Sequence, residues 1–370
     1  VEKAKINASQ LFVLIFLFEL GSALLVSLGL SAKQDAWIAI LLGMVAGMVL
    51  FFVYLSLYNY YPDILPTEYM QKIVGRFFGK FLACLYIVYF MYIAARVLRD
   101  FGELLVTFAY NETPLFIINA VLFLAIVYTV RKGIEVMART GEILFVVLYF
   151  LAIVGFILVV VSGLIEINNL KPVLEEGMGT VLKTVITETW YVPFGEIIVF
   201  TMIFPYVNKP RKIKVACLSA LALSGINITI TTAISISVLG VDLVSRSQFP
   251  LLNTIQAIQV AEFLERLDVF FMVGLIMAGF FKISIYFYAA VTGLSNVFNT
   301  KETSKLVYPL GFVVLFSSMT IASSYSEHIR EGLQFVPLYM HLPFQVIIPS
   351  LLLLIAFIKN RKKKKGVHQK

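Results

Sequence analysis

Phe18-Glu19-Leu20-Gly21-Ser22 interrupts the first apolar run of the chain, and Pro193-Phe194-Gly195-Glu196 interrupts the sixth. Each break sets a glutamate close to a glycine, inside a stretch otherwise fit to cross a bilayer. Freed backbone groups and a carboxylate are tolerated at membrane depth only where they face protein or a cavity. Two such breaks at matching positions are the pattern of an inverted repeat that binds its ligand near the midplane.

Working outward, the 370 residues are 60% hydrophobic and 14% charged, with a mean hydropathy of +0.90. Soluble domains hold about 45–50% apolar and about 25% charged residues, so the surplus is expected to meet lipid. A helix needs ~20 apolar residues to cross the ~30 Å hydrocarbon core. Ten runs meet that need, at 9–30, 36–58, 77–110, 114–130, 141–163, 186–207, 214–238, 266–298, 304–322 and 336–358. The third and eighth exceed it, which predicts tilt or extension beyond the bilayer. A half-polar segment precedes each of these two, Pro62 to Arg76 and Phe249 to Glu265. The halves 9–163 and 186–358 thus share a layout, and an odd number of helices in each requires opposite orientations. The expected fold is an all-α integral membrane protein. It has one membrane domain (1–358) of ten transmembrane helices in a five-plus-five inverted repeat, with helices 1 and 6 broken, and a basic tail (359–370).

Basic residues set the orientation. With the N-terminus inside, the inner segments hold Lys3, Lys5, Lys72, Arg76, Lys80, Arg131, Lys132, Arg139, Lys209, Arg211, Lys212, Lys214, Lys301 and Lys305, besides the tail. The outer ones hold far fewer: Lys33, Arg96, Arg99, Lys171, Lys183, Arg246, Arg266 and Arg330. Both termini are therefore expected in the cytoplasm. The net charge of +8 is concentrated at Lys359, Arg361, Lys362, Lys363, Lys364, Lys365 and Lys370. That cluster fits a juxtamembrane anchor on an anionic leaflet and leaves little for nucleic acid. Lys3 and Lys5 before the first run imitate a signal peptide, but the run is too long and a first span is expected. Cys84 and Cys217 cannot form a disulfide framework. Phosphate loop, zinc helix, nucleophile elbow and metal-ligand cluster are all missing from the sequence, so neither an enzyme nor a cofactor is expected.

Further motifs carry a resemblance. Ser9-Gln10-Leu11-Phe12, the loop Asn169-Leu170-Lys171-Pro172-Val173-Leu174-Glu175-Glu176-Gly177, and the stretch from Phe249-Pro250 to Phe263-Leu264-Glu265-Arg266 resemble the B subunits of spore germinant receptors. So does Tyr286-Phe287-Tyr288-Ala289-Ala290 followed by Thr292-Gly293-Leu294. The likeness runs over nearly the whole chain. It implies the fold of the amino acid–polyamine–organocation transporters, and a nutrient-sensing subunit in the inner membrane of a bacterial spore. It further implies A and C partner subunits and a small nutrient ligand of the amino-acid type. Glu19 and Lys282 stand where that family more often has small or uncharged residues.

Lys282 lies about 24 Å along a helix from Arg266, at a depth where a lysine costs at least ~2.5 kcal/mol. Three roles are open to it: pairing with a ligand carboxylate, replacing the cation of sodium-coupled relatives of this fold, or a fixed ion pair with Glu19 or Glu196. Glu19 can accept a ligand ammonium, carry a coupling proton, or cap freed N–H groups, and Glu196 invites the same readings. The expected ligand site is Glu19, Gly21, Ser22, Ile93, Phe194, Gly195, Glu196 and Lys282. Ile93 would limit ligand size from helix 3, and Tyr191 and Phe194 would flank the second break. Arg96–Asp100 and Arg99–Glu103 have the spacing of helical ion pairs. Gly43-x-x-x-Gly47 and Gly75-x-x-x-Gly79 permit close helix approach. His341 before Pro343 suits packing better than a proton relay. A working proton-coupled transporter is the competing reading of the same residues.

Overall fold

The computed structural model describes residues 5–26, 28–258, 267–300 and 302–367. Lys3, Lys301, the stretch Phe263-Leu264-Glu265-Arg266 and residues 368–370 lie outside it. Among the described residues the regular structure is helical, apart from one isolated bridge between Ile6 and Val207.

Helix α1 (Ala8–Ala23) starts at a reciprocal cap, in which Asn7 Oδ1 accepts from Gln10 N at 2.8 Å and Gln10 Oε1 accepts from Asn7 N at 3.0 Å. The residue that caps is Asn7, two before the Ser9 of the sequence motif, because only the N-cap to N3 spacing lets both bonds close. With 16 residues α1 is too short to cross a bilayer by itself, and it stops just after Gly21-Ser22. The sixth run is likewise no continuous helix. Its pieces are a wide turn at Val185–Thr189 and tight turns at Phe194–Met202 and Phe204–Tyr206.

Among the described residues seven helices are long and apolar enough to span, and an eighth if a bent pair counts as one. They include α2 (Ala36–Tyr60), α4 (Arg76–Phe108), α5 (Leu115–Lys132), α6 (Ile134–Val161), α8 (Ile213–Arg246) and α10 (Leu267–Phe298). The seventh runs from Pro337 to Arg361, its second part lying in α13 (Ile348–Val367). The bent pair is α11 (Thr303–Thr320) with the segment Tyr325–Phe335, which opens with α12 (Tyr325–Arg330) and turns through 104°. Short helices α3 (Pro66–Val74), α7 (Gly177–Thr184) and α9 (Pro250–Gln256) join the rest. The chain is a multi-spanning, all-α integral membrane protein.

At 33 and 32 residues, α4 and α10 are the long third and eighth runs. They extend to about 50 Å and cross the centre of the bundle, packed against each other. Association of helices in lipid gains nothing from hydrophobicity, so small residues at the seams decide how closely backbones approach. Gly43 and Gly47 of α2 do this for the broken sixth segment: a Cβ on Gly47 would lie 2.3 Å from Phe194 Cβ, and Thr189 lies over Gly43. Thr189 Oγ1 donates to Ala39 O at 2.7 Å, which fixes that seam.

The broken elements are tied at both ends. At one end Ile6 N donates to Tyr206 O and Asn208 N to Ile6 O, both at 2.9 Å. At the other end, the turn Leu30–Asp35 holds the loop before α7. Gln34 Nε2 donates to Pro172 O (3.0 Å) and Glu175 Oε2 (2.8 Å), and Leu174 N donates to both Asp35 oxygens at 3.0 Å. Lys33 pairs with Glu176 at 2.5 Å, and Ser31 Oγ donates to Glu188. Glu188 is thus engaged and half-buried.

Candidate functional site

Where α1 ends and the sixth segment breaks, α10 supplies the cation that the two glutamates call for. Lys282 is fully buried, and its Nζ donates to Glu196 Oε2. Tyr286, one turn further along α10, donates to Glu196 Oε1 at 2.9 Å. The ammonium lies over the ring of Phe18, 5.0 Å from its centroid. Gly21 makes this approach possible, since a Cβ there would lie 2.9 Å from Lys282 Cβ and 3.0 Å from Cδ. Glu19 is also fully buried, and neither carboxylate oxygen has a hydrogen-bond partner. The charged side chains within electrostatic reach of it are Lys282 and Glu196.

A cavity of about 70 Å³ opens against this layer. By the same measure one water takes about 10–15 Å³, so there is room for a small solute. Ser22, Ile93 and Glu196 line it, and so does His341. His341 and Gln345 ride on the wide helical turns Pro337–Ile347. Tyr89 Oη and His341 Nδ1 share a 2.8 Å hydrogen bond, and Gln345 Nε2 lies 2.9 Å from the former and 3.0 Å from the latter.

The far wall is a polar cap. Arg96, Asp100 and His328 line it, and Gly332 lets Arg96 pass, its would-be Cβ lying 2.6 Å from a guanidinium nitrogen. Asp100 Oδ1 pairs with His328 Nε2 at 2.8 Å, while Arg96 donates to His328 O and reaches Glu331 at 3.7 Å. The spacing-based pair Arg96–Asp100 is therefore replaced by partners from the segment Tyr325–Phe335, which folds back over α4 and meets both residues at once. Arg99–Glu103 does form, at 2.7 Å.

Of the eight residues singled out in the sequence, Ser22, Ile93 and Glu196 line the cavity, and Lys282 and Glu19 form the ionisable layer next to it. Gly21 and Gly195 are seams, the latter holding Gln345 Oε1 where a Cβ would lie 2.2 Å away. Phe194 is turned toward Gly47 of α2 and does not line the cavity. Sequence reasoning gave no site role to Tyr286, Tyr89, Gln345 or His328. A usable signal existed for two of them: polar residues one turn apart in apolar helices, Lys282 with Tyr286 and His341 with Gln345, face one direction. Among the described residues no group of three or more side chains is arranged to hold a metal ion.

The fold is shared with solved structures that include a Na⁺-coupled symporter. MhsT in complex with L-phenylalanine superposes with a TM-score of 0.70 at 15% identity, covering 95% of this chain and 88% of the other. A Na⁺-coupled sialic acid symporter in a substrate-bound outward-open state gives 0.66 at 11%, covering 95% and 89%. The chain is thus an integral membrane protein on a transporter-type scaffold. It belongs to the spore germination protein family, whose model matches residues 5–326. Spore germination protein KB of Bacillus subtilis (strain 168) is 53% identical over 366 residues, 99% of this chain and 98% of that one. YndE of the same organism, also a spore germination protein, is 28% identical over 98% of this chain and 99% of its own.

Proposed function

We propose that this chain is the nutrient-sensing subunit of a spore germinant receptor, binding a small amino-acid-like germinant in a transporter-type site. The observation that carries this reading is the cavity joining Ser22 of the first break, Glu196 of the second and Ile93 of α4, beside a buried lysine. A zwitterion suits it, because Glu196 and carbonyls freed at the breaks attract an ammonium, while helix N-termini and Lys282 attract a carboxylate. Gly21, Phe194 and Gly195 hold the breaks in place, and Glu19 lies behind them within electrostatic reach of Lys282. Binding shifts the bundle between two states in proportion to its different affinities for them, and partner A and C subunits receive that shift. The reading includes the finer architecture: ten spans over residues 1–358, in inverted halves of about 9–163 and 186–358, with a basic cytoplasmic tail at 359–370. It places both termini in the cytoplasm and the protein in the inner membrane of the spore. Supporting that orientation, basic residues of the segments counted as inner lie on aromatic rings: Lys80 on Phe298, Arg131 on Tyr308, Lys132 on Tyr128 and Lys214 on Phe52, at 4.8–5.5 Å. Such amphipathic anchoring belongs at a membrane surface.

A second reading, a proton-coupled amino acid transporter, is favoured by the scaffold and by the lysine next to the first break. Fold alone does not separate the two. Spores lacking every other germinant receptor, supplied with this subunit and its A and C companions, are expected to release dipicolinate in response to one of a panel of amino acids, sugars and nucleosides. Silence across the panel with the protein present, together with gradient-driven uptake in proteoliposomes, would establish the transporter instead.

A further inference from the structure

Two carboxylates share one lysine at the centre of the molecule, and the bonds are not shared equally. Glu196 takes the Lys282 ammonium on one oxygen and the Tyr286 hydroxyl on the other. Glu19 takes nothing, although it is fully buried. An ionised carboxylate without hydrogen bonds in a dry interior is among the most costly arrangements a protein can hold, and such a group neutralises itself. A metal ion would need several oxygen ligands, and no such cluster is present among the described residues. A proton needs only the carboxylate itself.

The neighbours of Glu19 are consistent with this. From α10 come Lys282 and Tyr286, from the sixth segment Glu196, and from α8 the thiol of Cys217. From α6 the titratable groups on this interface lie nearer the start of α1, Tyr149 against the ring of Phe16 and Glu142 on Gln10 Nε2 at 3.2 Å. Lys282 is thus the one cation in this set, and Glu196 already holds it.

We propose that Glu19 is a proton-binding site whose proton is exchanged against the position of Lys282. With Lys282 on Glu196, Glu19 holds one proton. When Lys282 leaves Glu196 and crosses to Glu19, that proton departs to solvent through the adjoining cavity and Glu196 is left free as an acceptor. The proton site does not depend on the receptor reading. Its consequence rests on that reading: a germinant ammonium that takes Glu196 displaces the lysine and releases one proton.

The test needs no ligand. Infrared spectra of the purified full-length protein in nanodiscs, wild type minus Glu19→Gln, are expected to show at neutral pH the C=O stretch of a carboxylic acid, shifted in D₂O. In Glu196→Gln, where Lys282 has Glu19 as its remaining counter-ion, the Glu19-dependent stretch is expected to disappear. In Lys282→Met it is expected to persist to pH values at least one unit more alkaline than in the wild type. Absence of a Glu19-dependent stretch in the wild type overturns the proton site. A stretch that survives in Glu196→Gln, or titrates unchanged in Lys282→Met, overturns the exchange. None of these outcomes depends on whether the protein senses germinants, which the spore assay decides separately.

Discussion

Lys282 illustrates how one residue sets the terms for its neighbours. Its burial is tolerable because Glu196 compensates it and Tyr286 fills the second carboxylate oxygen. Removing one partner of a buried pair typically costs about 3–5 kcal/mol, whereas replacing both can be nearly neutral. Lys282→Met is therefore expected to lower the thermal midpoint of the purified protein substantially, and Lys282→Met/Glu196→Gln to recover most of the loss. Glu196→Gln alone should cost less than Lys282→Met, since the lysine then has Glu19 to turn to. A double variant no better than the worse single one, read by fluorescence-detected size exclusion on heating, would show that the two side chains are not coupled. At this scale the sequence was informative about which residues matter and silent about how they divide the work. Depth in an apolar helix exposed Lys282, Glu19 and Glu196 as costly, but three-dimensional proximity alone chose Glu196 over Glu19.

At the scale of elements, legibility followed continuity. Helices α4 and α10 were located to within two residues, because an unbroken apolar run leaves a bilayer-spanning chain few alternatives, whereas α6 starts seven residues earlier and α8 ends eight residues later than their apolar runs. The segments 185–206 and 325–347 were not legible in that way. Their turns are set by contacts with distant helices, Phe194 on Gly47 and His328 on Asp100 among them, and a local pattern does not encode them. The cap over the cavity is the functional counterpart of that irregularity. Arg96 holds the backbone of His328 and the carboxylate of Glu331, so Arg96→Gln is expected to loosen the segment Tyr325–Phe335 while leaving α4 intact. With Cys84 and Cys217 replaced and Ser22→Cys introduced as the reporter, labelling by a membrane-impermeant thiol reagent should accelerate about tenfold in the Arg96→Gln background, which corresponds to about 1.4 kcal/mol off the closed state. Equal labelling rates would mean that the cap is not the barrier between the cavity and water.

For the molecule as a whole, the proposed orientation rests on the distribution of basic residues. In the proposed orientation Lys80 and Lys132, resting on Phe298 and Tyr128, belong to inner segments, and the Leu30–Asp35 turn with the loop it holds belongs to the outer side. An epitope inserted after Lys171 is expected to be reached by antibody on intact protoplasts, and one fused after Lys370 only once the membrane is opened. The reverse pattern would invert the proposed orientation. The ties at the two ends carry a further consequence. Hydrogen bonds join the start of α1 to the exit of the sixth segment, and the turn after α1 to the loop leading into it. Two broken elements pinned together at both extremities behave as one stiff spar. On the receptor reading, a push applied anywhere along that spar reaches both ends of the bundle in a single stroke, and the inner face then needs no separate messenger to learn that the outer one has been touched.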